Sequence, residues 1–487
     1  MAMITQQLRG ALAIDPSAEA IDYHHHWYSW GQLAKVIDDI EAALRQLGLP
    51  AEARVGVMLR NRPGHIAAAA AVLSGDRCLV TLNPVLPDER LCGDIAGLGL
   101  PVVIGEAEDL NRHGVAEALE LSGTAAIILE PRLAGAHLLP GHDRVKADPA
   151  RQLAPGVAIE MLTSGTTGTP KRVPLTRDAF DASFAGVLRY EKGRDFNEAP
   201  KLRGGVQIVV NPITHIGGIY GSLAALMSGR RQCLLEKFSV EAWHDAIKRH
   251  RPKVASAVPA ALKMLIEAKL PKEDLSSLAA VLTGTAPLDP AVVDAFYELY
   301  GIPILSNYGA TEFAGAVAGW SIEDFHDHWR GKRGAAGRIH SDIQARVVDP
   351  ESGEEVPAGV EGILELQGAQ LGKRKGWLRT TDRAVIDADQ FLFIRGRADN
   401  AIVRGGFKVH PDEVVRVLEQ HPAIREVVVV GVMDERLGQV PAAAIILREA
   451  LCSHRPRNLQ RSRRRNCCPI RCRCAINLST ICRAPLR

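Results

Sequence analysis

Residues 163–171 read TSGTTGTPK, a run with two glycines, five hydroxyl side chains, a proline and a closing lysine. Gly165 and Gly168 let the backbone turn its amides toward one point, and Thr163, Ser164, Thr166, Thr167 and Thr169 add hydroxyl donors around it. Such a cradle holds a phosphate. The spacing G-x-x-G-x-x-K, with proline ahead of the lysine, is not the Walker form. Lys171 is placed to supply positive charge to distal phosphates. The same composition also makes an ordinary surface loop, so the reading turns on what else the chain carries.

A second constellation, NYGATE (307–312), follows an apolar run and brings a ring, a hydroxyl and a carboxylate within five residues. Adenine can stack on Tyr308. The Thr311 hydroxyl can reach a phosphate, and Glu312 can hold Mg²⁺ bridging phosphate oxygens. GTAPL (284–288) ends another apolar run, with Gly284, Thr285 and Ala286 at its tip, and RTTD (379–382) and GRADN (396–400) come later. An aspartate with an arginine suits ribose hydroxyls. YHHHWYSW (23–30) suggests a metal, but three consecutive histidines cannot all face one ion on a strand or a helix. Recognised ligand spacing is missing there, and no metal role is assigned.

These side chains need a scaffold, and the intervening pattern supplies one. Leu33, Val36, Ile37, Ile40, Leu44 and Leu47 recur at helical spacing, with Ser29 as N-cap and Gly48 as stop. RVGVML (54–59), CLVTL (78–82) and PVVIG (101–105) read as strands, and the alanine-rich run 65–73 as a helix between the first two. These are βαβ units feeding a largely parallel sheet. The pattern resumes with strands at 206–210, 254–258, 278–284 and 302–307. Ligands in open α/β sheets sit beyond the carboxyl ends of such strands. From about Ile343 shorter strands and turns indicate a small antiparallel or barrel-like piece. After Arg397 a compact unit follows, with a helix over 412–420 and strands at 426–432 and 442–447.

The expected fold class is therefore α/β. A large N-terminal domain (1–398) of βαβ-layered sheets plus the barrel-like piece precedes a small α+β C-terminal domain (399–449), with a boundary near Asp399, and a tail covers 450–487. The 487 residues, 46% hydrophobic and 24% charged, suit two or three globular domains and argue against disorder. No window approaches eighteen apolar residues, so no membrane span is expected. No secretory signal is evident, and the expected location is cytoplasmic. The net charge of +3 hides an asymmetry, because ten arginines fall in the tail and leave 49 basic against 56 acidic residues in the body. Nucleic acid is not expected as a partner of that acidic body, and the oligomeric state stays open. Cys78, Cys92 and Cys233 read as inert core residues.

With its motifs in this order, the chain resembles the adenylate-forming superfamily: AMP-forming acyl-CoA synthetases, adenylation domains of peptide synthetases and firefly-type luciferases. The resemblance runs from about residue 28 to 447 and includes GRADNAIVRGGFKVHPDEV (396–414). It implies a large domain and a small mobile one that together activate a carboxylic acid with ATP and Mg²⁺ and pass the acyl group to coenzyme A. By the family's roles Tyr308 stacks on adenine, Thr311 contacts phosphate, Glu312 binds Mg²⁺, and Asn307 and Gly309 belong to the same nucleotide motif. Asp382 and Arg397 hold the ribose, and Asp399 is the hinge. His215, in NPITHIGGIYGS, matches the residue that gates the acyl pocket, and is read as pocket-lining. Gly405 and Gly406 match the loop that comes near the pantetheine thiol, where lack of side chains lets a ligand approach. A carrier protein in place of free coenzyme A, or an adenylate-binding homologue without catalysis, are the alternatives.

The tail departs from the family. Members present a lysine near the C-terminus that reaches the α-phosphate during adenylation, and residues 450–487 contain none. Ten Arg and six Cys (Cys452, Cys467, Cys468, Cys472, Cys474 and Cys482), with no Asp, Glu, Phe, Tyr or Trp, are what a frameshift in a GC-rich gene leaves. A metal- or nucleic-acid-binding extension is the second reading, although C-C-x-x-x-C-x-C lacks a paired CxxC. A disordered basic tail is the third. On the first reading the chain is slow from ATP plus acid, yet converts a supplied acyl-adenylate and coenzyme A at a normal rate. Pyrophosphate release at rates usual for enzymes, on the order of 1 to 10³ per second, would overturn that expectation.

Overall fold

A computed structural model describes residues 3–148, 152–163, 171–188, 200–372, 376–404, 407–421, 423–434 and 438–447. The Arg/Cys-rich tail lies outside them. Two compact units are present: residues up to 344 with 366–378 and 389–392, and residues 345–365, 379–388 and the described residues from 393 onward. This division by contacts differs from a cut at Asp399.

In the first unit, short β-branched runs form a seven-stranded sheet. Its order is β7 (Ala136–Leu138), β6 (Ala125–Leu129), β5 (Val102–Glu106), β3 (Arg54–Met58), β4 (Cys78–Leu82), β8 (Val157–Thr163) and β9 (Lys171–Thr176). The five inner strands are parallel, as the βαβ pattern requires. The edge strands β7 and β9 fold back antiparallel. Every residue of the helix Pro63–Ser74 is buried, and its five consecutive alanines let neighbours close on it from all sides. The helix Trp30–Gln46 starts where Ser29 places it: Gln32 N–H donates to Ser29 Oγ at 3.2 Å, and Ser29 N–H to Gln32 Oε1 at 2.9 Å. Gly48 follows its end in the left-handed region, φ 71°.

A four-stranded sheet has the order β10 (Arg203–Val209), β11 (Arg230–Leu234), β1 (Glu19–Tyr23) and β2 (His26–Ser29). The β1–β2 hairpin was not legible in the sequence. Its two-residue turn is His24-His25, with φ of 52° and 62°, where Asn-Gly would have been the recognisable signal. His24 and His25 thus occupy a turn and His26 a strand, which agrees with the three not converging on one ion.

The first unit also contains β12 (Val254–Ser256), β13 (Ala280–Thr283) and β14 (Ile304–Ala310) in parallel, then β15 (Gly315–Gly319) and β16 (Gly337–Ile339) antiparallel. The sequence pattern ended the fourth of its later strands at 307. The strand runs on to Ala310 because β15 returns along it, pairing Asn307 with Gly319 and Tyr308 with Ala318.

Four strands with most of their residues in the second unit, β17 (Gln344–Val348), β18 (Gly362–Gln367), β19 (Leu378–Ile386) and β20 (Phe391–Arg397), lie side by side in the order β20-β19-β18-β17. Beyond them a sheet of order β22 (Phe407–Val409), β21 (Ile402–Arg404), β24 (Gly438–Leu447) and β23 (Ile424–Asp434) is antiparallel throughout. Leu418, from the helix Pro411–Glu419, packs with Ile402, Ile424, Val427, Val429 and Ile445 to make its core.

Within the first unit, charged pairs tie the two large sheets together. Arg62, just before the alanine-rich helix, bonds Glu106 at the end of β5 at 2.5 Å and Glu236 beyond β11 at 2.6 Å. Glu236 also accepts from the Tyr23 hydroxyl at 2.7 Å, and His65 Nε2 lies 3.2 Å from Glu106. Burial pushes the Glu106 carboxyl up, but His65 and Arg62 outweigh it and hold the pKa at about 2, below the ordinary 4.5. A depressed folded-state pKa stabilises above the unfolded value and ceases to as pH falls through the folded one. Urea midpoints should therefore drop between about pH 4.5 and about pH 2, and Glu106→Gln should flatten the drop in that window.

Candidate active site

Only the two ends of the glycine- and threonine-rich run are described, the first of them at the carboxyl end of a strand that pairs in parallel with β4. Thr163 ends β8 and Lys171 begins β9; they are register partners, and Thr163 Oγ1 donates to the Lys171 carbonyl at 3.1 Å. Ser164, Gly165, Thr166, Thr167 and Gly168 lie outside the described residues. Lys171 is exposed.

Two other motifs meet at the carboxyl ends of β13 and β14. Gly284 follows β13, and a Cβ added to it would collide with Asn307 Oδ1. Thr285 next to it takes φ 70°, outside the usual range of a β-branched residue. Thr285 and Ala286 are exposed. The helix Ile216–Met227 starts close by: a Cβ on Gly217 would lie 4.0 Å from Thr285 Cγ2. His215 is the N-cap residue of that helix, but its side chain makes no capping bond. Surrounding protein lowers the pKa of His215 below 6.5, although its surface still reaches solvent. A ring kept neutral at pH 7 fits pocket lining better than proton donation.

After β14 the chain turns sharply through Thr311–Phe313, with Ala314 at φ 55° before β15. Tyr308 is half-buried, its ring 6.0 Å from Phe313 at 53°. Glu312 is exposed and half-buried Thr311 precedes it, so both stand at the turn where a ligand can reach them. Gln370, buried and 57 residues away in sequence, donates to Phe313 O and Ala316 O, both at 3.0 Å, and holds the turn. No sequence signal marked Gln370. Nor did one mark Phe184, whose ring stacks on Tyr220 at 4.1 Å and 8°, or Ser183, whose hydroxyl donates to the Tyr220 oxygen at 3.3 Å. Gly315 lies against Ser183 as well, since a Cβ there would come within 2.6 Å of its Oγ. Burial raises the Tyr220 hydroxyl pKa, so it remains protonated.

In the second unit Asp382 lies on β19 and Arg397 ends β20. These strands bring them near each other through Thr381: Ala398 N–H donates to Thr381 O at 2.8 Å, and Arg397 bonds the Thr381 hydroxyl. Arg397 Nε also bonds Asp399 Oδ1 at 3.0 Å, and the Asp382 N–H donates to Thr380 Oγ1 at 3.0 Å. Gly405 and Gly406 lie outside the described residues.

The family model described as AMP-binding enzyme matches residues 8–374. The chain belongs to that family. A second model, AMP-binding enzyme C-terminal domain, matches residues 413–477 and so reaches into the arginine-rich tail. The 4-coumarate–CoA ligase 1 of rice (Oryza sativa subsp. japonica) is 28% identical over 440 residues, covering 83% of this chain and 76% of its own. The ATP-bound structure of MatB from Rhodopseudomonas palustris superposes with a TM-score of 0.77 at 23% identity, covering 93% of this chain and 90% of that one. O-succinylbenzoate CoA synthetase (MenE) from Bacillus subtilis, bound to its acyl-adenylate, gives 0.71 at 22% identity, covering 91% and 88%. The expected α/β architecture of the adenylate-forming enzymes is thereby shown. Among the described residues no helix is long and apolar enough to cross a membrane.

Because Gly284 and Asn307 leave no room between them, Gly284→Ala should displace the Asn307 side chain while β13 still forms. The expected result is a KM for ATP raised about tenfold or more, roughly 1.4 kcal/mol of lost binding, with an unchanged melting temperature.

Proposed function

We propose that this chain is an AMP-forming acid–thiol ligase. A carboxylate oxygen attacks the α-phosphorus of ATP, pyrophosphate leaves, and an acyl-adenylate forms. The sulfur of coenzyme A then attacks the acyl carbon, AMP leaves, and the thiol proton is lost to solvent. The observation that carries this reading is the junction of GTAPL and NYGATE at the carboxyl ends of two parallel strands, in a chain of this family. Neither half-reaction needs a nucleophile from the protein, so positioning and charge neutralisation supply the rate.

Tyr308 offers a half-buried ring for adenine, and Asn307, Gly309, Gly284, Thr285 and Ala286 line the approach to it. Thr311 donates to phosphate. The exposed carboxylate of Glu312, at a turn fixed by Gln370, has the hard oxygen chemistry that Mg²⁺ takes. When bound there Mg²⁺ neutralises charge on the phosphates. Asp382 and Arg397 take the ribose hydroxyls, Asp399 is the hinge of the small domain, and Gly405 and Gly406 line the thiol's approach. His215 closes the acyl side as a neutral ring.

Around the acid, Gly217, Gly218, Ala314 and Ala316 leave room, and the Tyr220–Ser183 pair is neutral. That lining suits an aliphatic or aromatic acid, and the stretches 215–220, 284–286 and 309–316 offer an ammonium group no carboxylate apart from Glu312. The rice relative is named for an aromatic acid. A cytoplasmic location belongs to the same proposal.

Pyrophosphate release screened over a panel of carboxylic acids, with and without coenzyme A, tests the reading. Glu312→Gln should lower the Mg²⁺-dependent first half while the fold stays intact. Asp382→Ala should raise the ATP requirement, losing about 1.5 to 3 kcal/mol for a hydrogen bond to a charged group. Wild-type kinetics in both variants, with nucleotide and metal limiting, would displace the nucleotide from this site.

A further inference from the structure

We propose a buried transition-metal site, separate from the Mg²⁺ chemistry above, formed by Asp22, Cys233 and His250. Asp22 on β1 and Cys233 on β11 are direct register partners in a parallel pair. His250 is the last residue of the helix Val240–His250. Their ligand atoms all lie within 4.8 Å of one another, although the three residues are far apart in sequence. The side chains of Asp22 and His250 are 1% and 7% exposed, and Cys233 is 2% exposed.

An ion-pair cluster explains part of this arrangement. Asp22 Oδ2 accepts from Arg249 Nη1 at 2.6 Å and from His250 Nε2 at 2.7 Å. The arginine places a full positive charge beside the carboxylate. The cluster leaves Oδ1 unexplained. That oxygen is buried and receives no N–H or O–H donor, which is costly for a charged carboxylate. Against the same carboxylate lies the Cys233 thiol, which hydrogen-bonds to Asp22 and is a soft donor. A carboxylate with one oxygen on an arginine and the other open is the arrangement in which it serves as a supported metal ligand.

Thiolate, imidazole and carboxylate together select Zn²⁺ or a similar borderline ion over Mg²⁺ or Ca²⁺. Tetrahedral zinc sets its ligands about 3.5 Å apart, within the range the three ligand atoms span, so side-chain rotation suffices to bring them to one ion. On binding, the thiol loses its proton to solvent and the ion's charge stabilises the thiolate. The proton that His250 Nε2 donates to Asp22 leaves to solvent, or Nδ1 carries the ring proton instead, and the freed Nε2 lone pair turns to the ion while Arg249 stays on Oδ2. Cys233 also lines a cavity of about 460 Å³ whose wall includes His24, His25, Glu236 and Asp245, and an ion would enter past it. A water on that side completes the fourth position. Bound metal would staple the β1–β2 hairpin, β11 and the helix end.

The test uses the full chain with the six tail cysteines replaced by serine, so that they cannot contribute a sulfur. Anaerobic titration with Co²⁺ should give one equivalent of binding with a thiolate-to-cobalt charge-transfer band in the near ultraviolet, reversed by Zn²⁺. Cys233→Ser should abolish the band, and His250→Gln should weaken Co²⁺ binding at least tenfold. X-ray absorption at the zinc edge of the zinc-loaded parent needs no core variant to fold, and should show one sulfur among nitrogen and oxygen neighbours. Absence of the band in the parent, its persistence in a folded Cys233→Ser protein, or a zinc shell without sulfur would each overturn the proposal.

Discussion

At the ends of β13 and β14 the backbone has no room for side chains, and much of the candidate site depends on this. A Cβ on Gly309 would collide with the Gly315 carbonyl, and one on Gly284 with Asn307. Such contacts let main chain approach closely, as the proposed nucleotide site requires. The tight β14–β15 pairing forces the turn at Thr311–Phe313, which in turn presents Glu312 outward and leaves Phe313 buried. Gln370 then satisfies two carbonyls that the turn would otherwise leave without donors.

Around this point the larger architecture supplies direction. β13 and β14 run parallel, so both point their carboxyl ends the same way and deliver their motifs where ligands of α/β sheets bind. The charged pairs about Arg62 hold two sheets of the first unit to one another, and they are built from partners 44 and 174 residues apart. Rigidity of this kind matters for a reaction that has no protein nucleophile, because its rate comes from where groups are held.

The described chemistry of the two halves is unequal. The side chains proposed for nucleotide and metal stand on strands and a turn of the first unit, while Asp382, Arg397 and Asp399 are organised in the second through Thr381. An arginine bonded to Asp399 and a threonine is held in one pose at low entropic cost, which suits recognition of a small hydroxylated ring.

From sequence alone came the α/β class, most of the inner strands, the Ser29 start of its helix, and the motifs that carry the family resemblance. Those features are local: a period of two or 3.6, a cap, a glycine among hydroxyls. What the tertiary structure decided is non-local. The extension of β14 through Tyr308 needed its partner β15, the His24-His25 hairpin needed its flanking strands, and Gln370, Ser183 and Phe184 acquired their positions only when distant segments packed. Asp22, Cys233 and His250 make the same point. Nothing in their spacing joins them, because register between β1 and β11 and the end of one helix are set by packing the whole unit, and no short window of sequence contains that information.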